Sequence, residues 1–406
     1  MLSAIGQFVS GGRVLRRCSL LAWGWAALAL TSSAQAQTAV APNAPGGAVG
    51  TSLPAHAIPL NIPGTYTLPA PPAGFDPSTA SPAALQAYGL PPMPDKQANP
   101  KAYAAWLNAV SIPNRITPVL EKTNVYHLPR RAAPAGAAPP IGAEQQSLES
   151  PIESTLLGSL NWSGYAVYNS SGPFTIEAVA GTYVVPVARN PFGQCPNHPQ
   201  FDVWSSYWVG INGLDSTDAL FQHGVEADSY NDCAGSYQYY APWIEWIPGP
   251  EFRVLNAPVA AGDYFFIQNW TGSTTTGCFF WANNSQQWQG SICTSASALG
   301  GNAITGTSVE WITERPYTGE HASGLAYLTN YVTVPWWETY AYNYTAGSPT
   351  FNYPGSAPSG SVYQVYAVDD GGGLISYPYL TGTDSIFFYD YGSAYCVPSA
   401  SCVPRY

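Results

Sequence analysis

The chain has 406 residues and a formal net charge of −11, with 24 acidic residues against 13 Lys and Arg. From Glu153 onward it contains no lysine, and four arginines accompany nineteen Asp and Glu, which gives this part a net charge near −15. Such a surface repels nucleic acid, so nucleic-acid binding is excluded. Because carboxylates lose their charge near roughly pH 3 to 4, this composition indicates adaptation to acid.

Residues 1–36 have the features of a signal peptide. Arg13, Arg16 and Arg17 precede an apolar run at residues 20–30, and Ala34-Gln35-Ala36 supplies the small residues of a cleavage site. The run is short for a bilayer span, and no later stretch has the length of one. We therefore expect an exported protein, extracellular or periplasmic, without a membrane span; the Arg pair leaves a twin-arginine export route open.

Residues 37–155 are predicted to be a propeptide with two parts. Residues 37–90 are rich in Ala, Pro and Gly, which favours an extended, largely disordered stretch. Residues 91–131 are basic and contain a helical pattern at 100–107. A basic segment before an acidic domain is expected to dock by charge, to inhibit the domain, and to leave when acid neutralises the partner carboxylates. A linker or tether is the alternative.

Seven cysteines are present, and Cys18 lies in the signal peptide. The remaining six predict three disulfides in an oxidising compartment, and pairing of sequence neighbours is the simplest of fifteen connectivities. The neighbour pairs would be Cys195 with Cys233, Cys278 with Cys293, and Cys396 with Cys402. Metal binding is the weaker alternative, because no CxxC occurs and the five histidines are scattered.

Residues 156–406 predict an all-β domain. Short runs of aromatic and β-branched residues alternate with Gly, Asn, Asp, Ser and Pro, which is typical of a sandwich of two large antiparallel sheets, of the concanavalin A-like or jelly-roll type. The expected strands are 164–168, 178–185, 205–211, 219–225, 237–246, 263–269, 279–282, 308–313, 327–332, 362–368 and 385–391.

Several hydrolytic mechanisms lack their motifs in this sequence. There is no Asp-Thr-Gly or Asp-Ser-Gly, no Gly-x-Ser-x-Gly and no His-Glu-x-x-His. A cysteine nucleophile is disfavoured because every mature cysteine has a disulfide partner available. Carboxylate chemistry without metal or cofactor remains.

Two predicted strands each carry a polar residue among apolar neighbours. Period-two alternation places Glu310 on one face with Ser308, Ile312 and Glu314, and it places Gln222 on the face opposite to His223. Each residue could also be an ordinary solvent-facing or cross-strand polar group. A carboxylate can move protons, and an amide can stabilise an oxyanion without titrating in acid. Glu314 is expected to make a structural or rim contact, and His223 a structural one.

The sequence resembles the glutamic peptidases, or eqolisins, over about residues 157–391. Six segments carry the resemblance in order: Asn161-Trp162-Ser163-Gly164, Gly181-Thr182-Tyr183-Val184-Val185-Pro186, Trp208-Val209-Gly210-Ile211-Asn212-Gly213, Phe221-Gln222-His223-Gly224, Trp243-Ile244-Glu245-Trp246, and Val309-Glu310-Trp311-Ile312-Thr313-Glu314.

The resemblance implies a secreted, monomeric acid endopeptidase with a β-sandwich fold. Glu310 would be the general base and acid, and Gln222 would orient the water and stabilise the tetrahedral oxyanion, with no covalent intermediate. Trp208, Asn212 and Glu245 match positions that line the substrate cleft. Asn212 stands where the family often has Asp, and His223 stands where a small or hydroxyl residue is usual. The partners would be protein substrates and the chain's own propeptide.

The main alternative is a carbohydrate-active β-sandwich, a glycosidase or a lectin, because aromatic side chains stack on sugars. A retaining glycosidase requires two carboxylates about 5 to 5.5 Å apart. Glu310 and Glu314 on one strand would be separated by about 13 Å, so a second carboxylate such as Glu226 or Glu245 would be needed. A non-catalytic surface protein is a further alternative.

Overall fold

The structure is a computed structural model that describes residues 53–137, 153–168, 177–191, 202–214, 218–232, 235–319, 323–343, 354–358 and 360–391. All of these described residues belong to one compact unit. The predicted signal peptide, Cys195, Cys233, Cys396 and Cys402 lie outside the described residues. Among the residues that the structure describes, none of the helices has the length and apolarity that a membrane crossing requires.

The first of two sheets carries the predicted catalytic residues. Its strands pair in the spatial order Leu120–Lys122 (β4), Phe252–Val254 (β12), Gly235–Trp246 (β11), Phe221–Asp232 (β10), Ser206–Ile211 (β9), Ser308–Glu314 (β16), Trp162–Tyr168 (β6), Val362–Val368 (β19) and Thr155–Ser159 (β5). The short strands Val203–Trp204 (β8) and Tyr327–Leu328 (β17) extend the far end of β10.

The second sheet packs behind the first. Its strands pair in the order Trp288–Ser295 (β15), Thr276–Asn283 (β14), Tyr264–Ser273 (β13), Ala178–Val184 (β7), Thr333–Tyr342 (β18), Ile386–Asp390 (β21) and Leu374–Leu380 (β20). Ile58–Pro59 (β1) pairs with Tyr66–Thr67 (β2), and both β2 and Asn114–Arg115 (β3) add to β15. Strand β20 also pairs with β19 and so joins the two sheets.

The predicted sandwich is therefore confirmed. Its pairs are antiparallel except β3–β15, β5–β19 and β8–β17. The inward residues of β9, β10, β16, β7 and β13 form one apolar core, which includes Val209, Phe221, Trp311, Tyr183 and Phe265. Alternation along each strand sends every second side chain of the first sheet to its outer face, where the candidate site lies. Cys278 and Cys293 lie opposite each other on β14 and β15 and form a disulfide, as predicted.

The N-terminal segment, residues 53–137, crosses both sheets. It contains helix α1, Pro82–Ala87, and helix α2, Pro100–Val110; a third helix, α3, Ala296–Leu299, follows β15. Pro100 occupies the first turn of α2, and the Asn99 side chain caps it by accepting from the Ala102 amide at 3.0 Å. The helical pattern predicted at 100–107 thus lies in α2.

Residues 53–90 differ from the extended, disordered stretch that their composition favours. They include β1, β2 and α1, and they are held by the domain rather than by their own propensity: β2 pairs with β15, and Leu85 of α1 is buried in the apolar cluster on the outer face of the second sheet. Propensity is a weak guide where tertiary contacts supply the apolar burial.

Candidate active site

Gln222 and Glu310 lie on one face of the first sheet, on either side of Gly210. Strand β9 runs between β10 and β16, and Gly210 is the direct partner of Gln222 on one side and of Glu310 on the other. Residues directly opposite each other in an antiparallel sheet point to the same face, and two strand spacings separate their backbones by about 10 Å. Both side chains are buried.

Gly210 leaves room for the Glu310 carboxylate above the middle strand. A Cβ at this position would lie 3.3 Å from Glu310 Oε2 and would press on Trp208 and Leu220 at 2.8 and 2.9 Å. The Glu310 carboxylate therefore leans over the middle strand toward β10. Any side chain at residue 210 would compete for this space.

The Gln222 amide is oriented by Glu245, its direct partner on β11. Nε2 of Gln222 donates to Glu245 Oε2 at 2.7 Å, while Oε1 is buried and accepts no hydrogen bond from the described residues. Burial raises the pKa of Glu245 well above its usual value, although the charge of His127 opposes that rise. Glu245 thus fixes which end of the amide faces the cleft.

Trp208 on β9 and Asn212, the residue directly after β9, support the site. Trp208 lies on the cleft face, where its Nε1 donates to Glu314 Oε2 at 2.8 Å. Asn212 ends the strand with a φ of 75°, and its Oδ1 accepts from the Gly306 amide at 2.7 Å, which ties down the loop before β16. Small polar residues such as Asn tolerate this left-handed conformation.

His223 lies on the opposite face of β10, as alternation predicts. Its Nε2 is 2.9 Å from the Phe280 carbonyl oxygen, and its ring packs edge-on against Trp281 between the sheets. Burial lowers its pKa to about 3. His223 is therefore a neutral core residue at most pH values.

Glu314 lies in the wall of the cleft and makes structural contacts there, one of the two roles that the sequence predicted for it. The side chain is buried, and Asn161 Nδ2 donates to it at 3.0 Å in addition to Trp208. Burial raises its pKa, which the contact with His127 opposes. Period-two alternation had placed Glu314 on the face of Glu310; only the neighbouring strands show that this face is enclosed there.

The N-terminal segment occupies this cleft. The Gln222 Nε2 atom donates to the carbonyl oxygen of His127 at 2.6 Å, and the His127 amide donates to Glu245 Oε2 at 2.9 Å. One residue later, the Leu128 carbonyl accepts from Trp162 Nε1 at 3.0 Å. The peptide backbone of the segment is thus hydrogen-bonded along the row of candidate site residues.

The imidazole of His127 fills a pocket of acidic residues. Its ring stacks on Trp243, with centroids 3.8 Å apart and an angle of 9° between planes. Nε2 lies 2.9 Å from Glu251 Oε2 and 3.9 Å from Glu226, and Nδ1 makes an ion pair with Glu314 at 3.3 Å. We call this the imidazole pocket: Trp243, Glu226, Glu251, Glu314 and Arg253.

The charges in the imidazole pocket are coupled. Burial alone would lower the pKa of His127, but its contacts with Glu251 and Glu314 outweigh burial and raise the pKa well above 6.5. Burial would likewise raise the pKa of Glu251, but the hydrogen bond from His127 and the charge of Arg253 lower it. For Glu226, burial and the nearby Asp228 and Glu251 raise the pKa despite its ion pair with Arg253. The pocket thus stabilises an imidazolium against an ionised Glu251.

The same cluster is the one group of potential metal ligands among the described residues. Ligand atoms of His127, Glu226 and Glu251 lie within 4.8 Å of one another. However, Arg253 contacts both carboxylates, with Nε 2.9 Å from Glu251. A metal ion would have to share these carboxylates with a guanidinium, so the donor set fits an organic cation better than a metal.

Sequence reasoning missed His127, Glu251 and Arg253 and gave Glu226 only a minor role. For Glu226 a signal existed, because it shares the alternating face of Gln222 and Gly224 on β10. No local pattern marks the others. His127 and Glu251 are 124 positions apart in sequence and meet only in the fold.

Comparison with known proteins shows the family of the chain through a match of its sequence. Residues 160–363 match the Peptidase A4 family. Scytalido-glutamic peptidase, solved with a transition state analog inhibitor, is 18% identical and covers 57% of this chain and 98% of its own, with a TM-score of 0.44. Aspergilloglutamic peptidase from Aspergillus niger is 21% identical and covers 46% of this chain and 99% of its own, with a TM-score of 0.37.

None of the curated proteins that were compared matches the chain. The family match covers half of the chain and spans the strands that carry both Gln222 and Glu310. The chain therefore belongs to the Peptidase A4 family, the glutamic peptidases, and is a hydrolase of peptide bonds.

Proposed function

We propose that the protein is a secreted acid endopeptidase in which Glu310 and Gln222 form the catalytic dyad. The observation that supports this most directly is the hydrogen bond from Gln222 Nε2 to a peptide carbonyl oxygen, that of His127, within the cleft. An amide that donates to a carbonyl in the ground state is placed to donate more strongly to the oxyanion that forms from it.

In this mechanism Glu310 deprotonates a water, which attacks the carbonyl carbon, and the resulting tetrahedral oxyanion accepts from Gln222 Nε2. Glu310 then gives the proton to the leaving amine, so no covalent intermediate forms. The base must be ionised, while the amide does not titrate. Glu245 holds that amide in the donating orientation through its 2.7 Å hydrogen bond.

Replacing Gln222 tests the oxyanion role. We expect Gln222→Ala to keep the fold and to lower kcat for digestion of denatured protein at pH 3 to 4 by about 10²–10³-fold, since one oxyanion donor is lost. Gln238→Ala, which removes an amide at the far end of the same hairpin, should retain wild-type kcat. Full activity of Gln222→Ala would remove Gln222 from the mechanism.

We further propose that the N-terminal segment is an intramolecular inhibitor. It fills the cleft through His127 and Leu128, which would exclude a substrate from the dyad. The basic residues of the segment contribute little to the docking that the sequence predicted. Among the described residues, Lys101 and Asp384, at 3.2 Å, form the only ion pair between a Lys or Arg of the segment and an acidic residue of the domain. The charge contact lies instead at His127.

Acid weakens this contact. The pKa of Glu251 is lowered while His127 is docked. The free energy by which Glu251 stabilises the docked segment is therefore fully present above the usual pKa of 4.5, and it is lost as the pH falls through the lowered pKa. The raised pKa of His127 has the opposite consequence. The free energy by which His127 stabilises the docked segment is present below pH 6.5, and it is lost only as the pH rises through the raised pKa. Release of the cleft is therefore expected below about pH 4.5.

The rate of self-cleavage measures how far His127 holds the N-terminal segment in the cleft. The substitution His127→Ala removes the charge-assisted hydrogen bond to Glu251 and the stacking on Trp243. We therefore expect precursor self-cleavage at pH 5 to be at least about tenfold faster than in wild type. Asn124→Ala changes an exposed residue of the same segment and should leave the rate unchanged. Equal rates for all three proteins would show that His127 does not keep the precursor latent.

The cleavage that yields the mature protein is expected between about residues 130 and 160, after the part of the segment that lies in the cleft. We propose that the product is exported, extracellular or periplasmic, and monomeric. N-terminal sequencing of the acid-treated protein tests the cleavage position, its sedimentation mass tests the monomer, and fractionation of the expressing cells and their medium tests the export.

A further inference from the structure

We propose that the imidazole pocket is a specificity pocket, which makes the mature enzyme prefer substrates with histidine immediately before the cleaved bond. This inference rests on the proposed catalytic role of Gln222 and Glu310. His127 occupies the pocket in the precursor as an internal substitute for such a residue.

The position of the pocket along a bound peptide follows from the backbone contacts. The carbonyl that accepts from Gln222 belongs to the residue whose side chain enters the pocket. A substrate bound in the same way, with its reacting carbonyl at Gln222, would place in the pocket the side chain on the N-terminal side of its cleaved bond. The amide of that residue would donate to Glu245, as that of His127 does at 2.9 Å.

The charge of the pocket selects for a cation. Glu226, Glu251 and Glu314 contact the His127 ring, Glu245 contacts its backbone, and Asp228 lies nearby on β10; Arg253 is the cation that faces them from β12. One guanidinium is paired with Glu226 and Glu251 and leaves Glu314 for the incoming residue. An apolar side chain would leave Glu314 buried without a cationic partner and would leave Glu226 and Glu251 to share the single charge of Arg253, which is costly.

The shape of the pocket selects for a flat ring. The His127 and Trp243 rings are nearly parallel, and the two nitrogens point to Glu251 and Glu314 on opposite edges. A lysine would supply the charge without the stacked ring, and a phenylalanine the ring without the charge. Of these three side chains, the protonated imidazole alone uses both walls in this way.

The first experiment measures pocket selectivity without relying on catalysis. In the full chain carrying Glu310→Gln, residue 127 is changed to Ala, Phe or Lys, and amide hydrogen exchange of residues 126–131 is followed at pH 6. We expect each of the three to exchange at least about tenfold faster than the His127 protein. Adding Glu251→Gln should speed exchange when residue 127 is His but have little effect when it is Phe.

The second experiment maps cleavage sites. Denatured protein is digested by the acid-activated wild type at pH 4.5, and the products are sequenced by mass spectrometry. We expect cleavage after histidine to exceed cleavage after phenylalanine at least about tenfold, and Glu251→Gln to abolish this preference while other sites are still cut. The preference should decline toward pH 3, as Glu251 protonates.

The outcomes distinguish failure of the specificity pocket from failure of the proposed catalytic dyad. Cleavage without histidine preference, or equal protection by His and Phe at residue 127, overturns the specificity pocket and leaves the dyad intact. Selective protection together with no digestion at any acid pH overturns the proposed function but keeps the pocket as a docking site. Protection by His that Glu251→Gln leaves unaffected also overturns the pocket, because the carboxylate would then not recognise the ring.

Discussion

Glu310→Gln should abolish both self-cleavage of the precursor and digestion of added protein in acid. The substitution keeps the size and shape of the side chain on β16 but removes the group that takes the proton from water, so we expect kcat to fall by about 10²–10⁴-fold. Its neighbours across the sheet, Gly210 and Ala166, would still accommodate it.

Two measurements make this result specific. Glu338→Gln changes a carboxylate on β18 of the second sheet and should retain wild-type kcat. The melting temperature of Glu310→Gln at neutral pH should stay close to that of wild type, which separates lost chemistry from lost folding. Undiminished acid proteolysis by a folded Glu310→Gln protein would refute the dyad.

Trp106→Ala should be the most destabilising change in the N-terminal segment. Trp106 lies on α2, is completely buried, and donates from Nε1 to the Pro91 carbonyl at 3.0 Å. Its ring belongs to the apolar cluster that includes Phe266 and Phe280 on the outer face of the second sheet. Removing it should lower the free energy of unfolding by about 3–5 kcal/mol, through lost burial and a cavity.

Denaturant unfolding at neutral pH, in the Glu310→Gln background to prevent self-digestion, measures this loss. Trp337→Ala, at a half-buried position on β18, should cost clearly less. If the two variants lost equal stability, α2 would not be anchored through Trp106. The apolar contacts of α2 do not titrate, so acid should free residues 126–131 from the cleft before it frees α2.

Many of the strands could be predicted from the sequence because their signal is local. The run at 308–313 matches β16, and the run at 362–368 matches β19, since alternating aromatic and β-branched residues specify a strand with one face toward the core. Alternation also put Gln222 and His223 on opposite faces. The family assignment supports a peptidase and replaces the carbohydrate-active alternative.

Residues 53–90 and the strand β18 show where local signals fail. The Ala, Pro and Gly composition of the former favours disorder, yet α1 and β2 are ordered against the domain. Strand β18 has Pro335 within it, which weakens a strand prediction, but it pairs with β7 and β21 across a bulge. In both cases, burial against distant residues outweighs local preference.

The sandwich, the acidic composition of the domain, the basic segment before it and the candidate pair Gln222 and Glu310 could be predicted from the sequence, because side-chain alternation, composition and short motifs are properties of contiguous residues. Three features could be seen only in the folded chain: Gly210 lies between the pair, Glu314 is enclosed, and His127 lies in a pocket with Glu251. These contacts join residues that are distant from one another in the sequence, and the pKa shifts of the ionisable ones arise from burial and charge that only the assembled sheets supply.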